Sequence, residues 1–269
     1  MIRSIRTCAV ACAAVLIGGA VPVCAAPDPA TVGIVLMHGT SGIPLGTPSK
    51  RSIGVRLVGA LRAAHYLVAT PEMCWSRRRI YAKPFADCLA ELEPVIADLR
   101  AHGAKTIVVG GLSQGANAAL AYGEEHPEIA GVIACAPAHD AARISAMARI
   151  SPALAQAQSA VAAGQGNNTA DYPDTNQGEF FTVTATAATY VSFFDPSGPA
   201  SIAANIGRLH VPFIWIAGDD DRSQSGSEGT FRQAPPGPHN TYRSIRSDHT
   251  GTCDNATDDI LTWLTTLPG

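Results

Sequence analysis

"VVGGLSQGAN", residues 108–117, sets a short apolar run against two glycines, a lone serine and a third glycine. The run Thr106-Ile107-Val108-Val109 is β-branched and favours a buried strand, while Ala116 to Glu125 reads as helix. Ser113 therefore stands at a strand-to-helix turn. Such a turn can cradle phosphate, because a helix N-terminus offers free N–H groups to an anion. Gly110 and Gly115 have the outer spacing of a P-loop, but Ala116 and Asn117 follow where that motif needs Lys and then Ser or Thr. The dinucleotide fingerprint fails too, since Leu112 occupies the place of its second glycine. What remains is G-x-S-x-G over Gly111 to Gly115, where tiny residues on either side of a strained serine let strand and helix pass closely. A shuffled chain with the same 25 glycines would hold roughly 0.14 such matches, so the rest of the sequence must carry the argument.

Strand-like and helix-like stretches alternate outward from this turn. Residues 31–39, 66–71, 131–138 and 212–219 read as further strands, 49–65 and 84–103 as helices, and the chain closes with a strand over 241–249 and a helix over 258–267. Strands this apolar are buried on both faces, which implies an α/β fold with a mostly parallel sheet and helices on both faces. Between 139 and 209 the alternation breaks into an Ala-rich helical stretch, a polar stretch over 166–178, and a run over 179–194 that is ambiguous between strand and helix. This segment is expected to be an insertion or cap over one end of the sheet.

A serine hydroxyl is a weak nucleophile and needs a base, with a third group to orient the base. "AGDDDRS" places Asp219, Asp220 and Asp221 at the end of an apolar strand, where open α/β sheets build their sites. "SDHTG" places His249 after the final strand, whereas His239 sits in the loop "PPGPHN" with no strand to hold it. "LMHGTSG" ends the first strand with His38-Gly39-Thr40, and the Thr40 and Gln114 N–H groups would form an oxyanion hole.

With the oxyanion loop, Ser113, an aspartate and His249 in that order, the sequence resembles an α/β-hydrolase of the small secreted bacterial kind. In that family the acid commonly follows its strand as G-x-x-D, which here spans Gly218 to Asp221 and implies Asp221. Some members take their acid from the end of the preceding strand, which makes Asp140, in "APAHD", an outside candidate. The resemblance implies a Ser113-His249-Asp221 triad hydrolysing a carboxylic ester through an acyl-enzyme, with no metal or organic cofactor. A thioester or amide would use the same residues, and a non-catalytic exported binding protein of the same fold is the rival from another class. The family's early antiparallel strands have little room before Thr31, so the sheet is expected to be trimmed at that edge.

Arg3 and Arg6, an apolar stretch from about Cys8 to Val21 and the ending Val23-Cys24-Ala25-Ala26 read as a secretory signal peptide cleaved after Ala25 or Ala26. The stretch is shorter than the roughly 18–20 residues of a spanning helix, so no membrane association is expected after cleavage. Removing residues 1–25 would leave 244 residues as a single domain, with 17 basic against 22 acidic residues. A mildly acidic protein is a poor partner for nucleic acid. The expected destination is the periplasm or the medium, and the expected partner a small-molecule ester.

Cys74, Cys88, Cys135 and Cys253 would remain, an even number that suggests two disulfides. Cys74 and Cys88 bracket a basic run, which favours pairing them and leaves Cys135 for Cys253. In that run Arg77, Arg78 and Arg79, flanked by Trp75 and Tyr81, could grip an anionic substrate or form a solvated loop.

Overall fold

The computed structural model describes residues 26–49 and 52–268, so the expected signal peptide lies outside the described residues. Six strands form one parallel sheet: β1 Val32–Met37, β2 Leu67–Ala69, β3 Thr106–Leu112, β4 Gly131–Cys135, β7 Phe213–Gly218 and β8 Thr241–Ile245, in the spatial order β2-β1-β3-β4-β7-β8. Between β4 and β7 the chain makes a separate antiparallel hairpin, β5 Thr169–Asn176 and β6 Glu179–Thr186.

Successive residues of each strand feed opposite layers of core. Val35 and Met37 of β1, Ile107 and Val109 of β3, and Phe213 and Trp215 of β7 pack on one side. Ile34 and Leu36, Val108, and Ile214 and Ile216 pack on the other. That is why these strands read as unbroken apolar runs rather than alternating ones. The second side is covered by α1 (Val55–Ala63), α10 (Thr252–Asn255) and α11 (Thr257–Leu264). The first is covered by α2 (Phe85–Ala90), α3 (Leu92–Ala101), α4 (Gln114–Glu125) and the 137–209 segment.

Several boundaries differ from the sequence reading. The expected helix over 49–65 begins only at Val55, because Gly54 has φ 74° and cannot belong to a right-handed helix. The expected helix over 84–103 is two helices: Pro94 has no N–H to give the Ala90 carbonyl and its ring crowds that position. The ambiguous run resolves into both forms, β6 and then α7 (Ala187–Phe194), with the Thr186 hydroxyl accepting from Thr189 N at the joint. The polar stretch before it is strand β5, closed on β6 through Gln177 and Gly178, both at positive φ as a tight hairpin turn requires. The segment is completed by α5 (Ala141–Ile144), α6 (Ile150–Ala162) and α8 (Ile202–Ile206), with α9 (Ser227–Phe231) following β7.

Cys74 and Cys88 are joined as a disulfide with Cα atoms 5.6 Å apart. The second expected bond is not formed. Cys135 and Cys253 are free, buried thiols; Cys253 Sγ donates to Gly111 O, and burial together with the neighbouring Cys135 pushes the Cys253 thiol well up in pKa.

Candidate active site

The connections from β1 and β3 leave in opposite directions across the sheet, so a crevice opens between their C-terminal ends. Ser113 directly follows β3 and begins the turn into α4, with φ 59° and ψ −120°. A non-glycine residue with positive φ is strained, and its neighbours must hold it there. They do: Ser113 N donates to Cys135 O at 3.0 Å, and its carbonyl accepts from Ala116 N, Asn117 N and Ala138 N. The flanking glycines are required by space. A Cβ on Gly111 would stand 2.5 Å from Met37 O, and one on Gly115 would overlap the carbonyl oxygens of Met37 and His38. Gly39 lies against the serine itself, with a Cβ there 3.0 Å from Ser113 Cβ.

Beyond β7, Asp221 faces the loop after β8. Its Oδ2 accepts from His249 Nδ1 at 2.5 Å, and Ser223 Oγ lies 3.3 Å from the same nitrogen. His249 Nε2 is thereby left as the acceptor. The other aspartates are engaged differently. Asp219 accepts from Ser247 N, Asp220 is exposed, and Asp140 caps α5 while accepting from Ile202 N at 2.8 Å. Burial raises the Asp140 pKa. Ser113 and His249 are 6% and 7% exposed and line the same cavity, but no hydrogen bond joins them. Catalytic hydrogen bonds in unliganded enzymes are often long and tighten only around substrate.

The loop after β1 is built around a neutral histidine. His38 Nδ1 donates to Gly39 O at 2.8 Å and Nε2 accepts from Met73 N at 3.0 Å, and burial lowers its pKa. Trp75 Nε1 donates to His38 O, Ser41 N to Trp75 O, and Arg77 N to Gly42 O. These bonds stitch the stretch around Cys74 to the stretch that presents Thr40. Thr40 Oγ1 also donates to Gln114 Oε1 at 2.8 Å, so the two residues expected to form the oxyanion hole are tied to each other. Among the described residues neither Thr40 N–H nor Gln114 N–H donates to any other group. Both remain free for an incoming oxygen.

Two cavities meet at Ser113. The larger, about 660 Å³, runs under the 137–209 segment past His139, Arg143 and the hairpin turn. The smaller, about 180 Å³, runs along the loop after β1 to Arg77. Asn176 and Gln177 border both.

Sequence reading missed a second histidine–carboxylate pair, whose histidine, His139, lines the larger cavity while the carboxylate lies buried behind it. His139 Nε2 donates to Asp174 Oδ1 at 2.8 Å, and the Tyr81 hydroxyl donates to Asp174 Oδ2 at 2.6 Å. Asp174 is wholly buried, and burial of Tyr81 itself, followed by the charge of Asp174 and the hydrogen bond to it, pushes the Tyr81 hydroxyl well up in pKa. His139 follows the strand beside that of Ser113, which is a signal the sequence held. Asp174, inside a polar stretch with no visible partner, gave none. Of the three adjacent arginines, Arg78 pairs with Glu72 and Arg79 with Glu91, so two of the three charges are taken up by the protein.

A family model described as serine aminopeptidase, S33, matches residues 75–247, well over half of the chain. The chain belongs to this family of α/β-hydrolases. The matched stretch contains Ser113 and Asp221, while His249 falls just beyond its end and Thr40 well before its start. No curated protein sequence matches the chain. Among solved structures, this serine hydrolase is similar to the monoacylglycerol lipase of Paleococcus ferrophilus, with TM-score 0.62, 17% identity, and 87% and 94% of the two chains covered. A metagenome-derived structure reported for the lipolytic enzymes LipS and LipT gives 0.58 and 19%, covering 87% and 93%. Est1E from Butyrivibrio proteoclasticus with bound ferulic acid gives 0.57 and 14%, covering 89% and 88%. At these identities the likeness is one of fold.

Proposed function

We propose that this α/β-hydrolase cleaves carboxylic esters through Ser113, His249 and Asp221. One observation carries the reading: His249 spends Nδ1 on Asp221, leaving Nε2 as a base in the cavity that Ser113 lines. In the first step Ser113 Oγ bonds to the ester carbonyl carbon as its proton passes to Nε2, and the carbonyl oxygen takes the negative charge. The N–H groups of Thr40 and Gln114 hold that oxygen. The carbon–oxygen bond to the alcohol then breaks, the alcohol leaving with the proton from His249. Water, deprotonated in turn by His249, releases the acid and restores Ser113. Asp221 holds the imidazole in the productive tautomer throughout.

Residues 139–209 act in this reading as a cap, with the hairpin turn at Gln177 and Gly178 and the adjoining Asn176 bordering the cleft. The protein is exported after cleavage following Ala25 or Ala26, which N-terminal sequencing of the secreted form would test. The disulfide Cys74–Cys88 suits an oxidising compartment.

Neutral p-nitrophenyl esters of graded acyl length, run beside aminoacyl anilides, test the reaction class. Ester turnover that Ser113→Ala abolishes supports the reading. Turnover confined to the anilides would replace it with an aminopeptidase.

A further inference from the structure

The basic run after Trp75 divides by function. Arg78 is paired with Glu72. Arg79 is held by Glu91 in a two-pronged ion pair, both contacts at 2.6 Å, and Lys83 shares the same carboxylate at 2.8 Å. Arg77 has no carboxylate partner among the described residues. It is exposed, and it lines the small cavity that ends at Ser113 and His249. No acidic residue is present among the described residues lining that cavity, so Arg77 is its one permanent charge.

The chain fixes where this charge stands. Arg77 N donates to Gly42 O at 3.1 Å and Ser41 N to Trp75 O at 3.0 Å, so the backbone carrying the arginine is bonded to the backbone that presents Thr40. The disulfide ties the same stretch to α2. A guanidinium anchored this way costs little ordering at its base when it closes on a ligand. It matches a carboxylate or phosphate with parallel N–H donors.

The larger cavity has the opposite bias. Asp140, Asp220, Asp221 and Asp248 line it against Arg143 and Arg222, and Arg143 already donates to Ser223 O. A substrate straddling Ser113 with one anionic end is therefore favoured in only one orientation, with that end in the small cavity.

We propose that Arg77 recognises an anionic group on the substrate, so that the preferred esters carry a carboxylate or phosphate near the scissile bond. The proposal rests on the ester-hydrolase reading above.

The test measures kcat/KM at low ionic strength for neutral p-nitrophenyl butyrate and for two anionic esters. One is the mono-p-nitrophenyl ester of glutarate, with the charge on the acyl side. The other is the butyryl ester of 4-hydroxybenzoate, with the charge on the alcohol side. In Arg77→Gln the anionic-to-neutral ratio should fall by at least about fivefold for one of the two, identifying the side, while Arg77→Lys keeps part of it. Arg78→Gln removes an equal charge from the same loop and should move neither ratio by more than about twofold. A fall below about fivefold on both arms, or an equal fall in Arg78→Gln, overturns the proposal. Should the wild-type chain show no Ser113-dependent turnover of any of the three esters, the ester reading fails by itself. Arg77 is then judged by calorimetric binding of monomethyl glutarate to the Ser113→Ala protein, which must weaken in the Arg77→Gln double variant if the proposal stands.

Discussion

Asp221 Oδ2 and His249 Nδ1 lie 2.5 Å apart across the ends of two adjacent strands, β7 and β8, and both side chains are buried. Of the four aspartates that sequence alone leaves in competition, Asp221 is the one that contacts His249 among the described residues. Losing the orienting carboxylate should cost about 10⁴ in kcat, because the imidazole then favours the wrong tautomer. Asp221→Asn is expected to be nearly inactive at neutral pH, whereas Asp219→Asn, Asp220→Asn and Asp140→Asn should stay within about tenfold of wild type, a loss of ~1.4 kcal/mol in transition-state stabilisation. Steady-state kinetics of the four variants on one ester check it. A large loss in Asp140→Asn with Asp221→Asn active would reassign the acid.

The glycine after the serine should be intolerant for a reason separate from chemistry. A methyl group on Gly115 collides with two backbone carbonyls, which cannot turn aside as a side chain can. Gly115→Ala should therefore lose about 3 kcal/mol or more of stability, near the upper end for overpacking a filled core. Gly59→Ala, where an added Cβ meets nothing within 4 Å, should be neutral or stabilising. Urea midpoints of the two proteins make the comparison.

The buried network around Asp174 offers a contrast between two tyrosines. Tyr81 donates to the Asp174 carboxylate at 2.6 Å, while Tyr190 donates to the uncharged Pro173 carbonyl at 2.7 Å. Tyr81→Phe should cost about 1.5–3 kcal/mol and Tyr190→Phe about 0.5–1.5 kcal/mol, the difference reflecting a charged against a neutral acceptor. Equal midpoints in denaturant would mean that Asp174 is well served without Tyr81.

Acid stability should report on Glu91. Hydrogen bonds and charge from Arg79 and Lys83 bring its carboxyl from 4.5 down to about 2, despite the opposing effect of burial. Because the folded value is the lower one, the unfolded chain binds the proton more readily. The stabilisation is complete above about pH 4.5 and is lost as pH falls through about 2. Glu91→Gln should be less stable than wild type by about 1–3 kcal/mol at neutral pH, with the gap more than halved by about pH 3. A gap independent of pH in thermal melts would contradict the ion-pair account.

The elements most legible in the sequence were those whose signal is local. Val108 and Val109 announce a buried strand because both faces of the sheet are covered, and Gly111 and Gly115 announce the elbow because no larger residue fits. The order of strands could not be read, since it depends on which edge each crossover chooses. Residues 166–194 were left without a clear assignment because a hairpin with many exposed positions carries little apolar signal, and Thr186 switches strand to helix without a glycine or proline. The Asp174–Tyr81–His139 cluster joins residues 93 and 35 positions apart. Nothing in the spacing of those residues marks them as neighbours. Cys135 and Cys253 were correctly brought to one place by the topology but not to a bond, because parity counts thiols and says nothing of their geometry.

The central claim is that Ser113 is the activated nucleophile. The direct measurement is intact-mass analysis after incubation with a fluorophosphonate, followed by peptide mapping of wild type, Ser113→Ala and His249→Ala. The account predicts one adduct on the wild-type chain, located at Ser113, none on Ser113→Ala, and labelling of His249→Ala slowed by several orders of magnitude. An unlabelled wild-type protein, or an adduct that persists in Ser113→Ala, would contradict it.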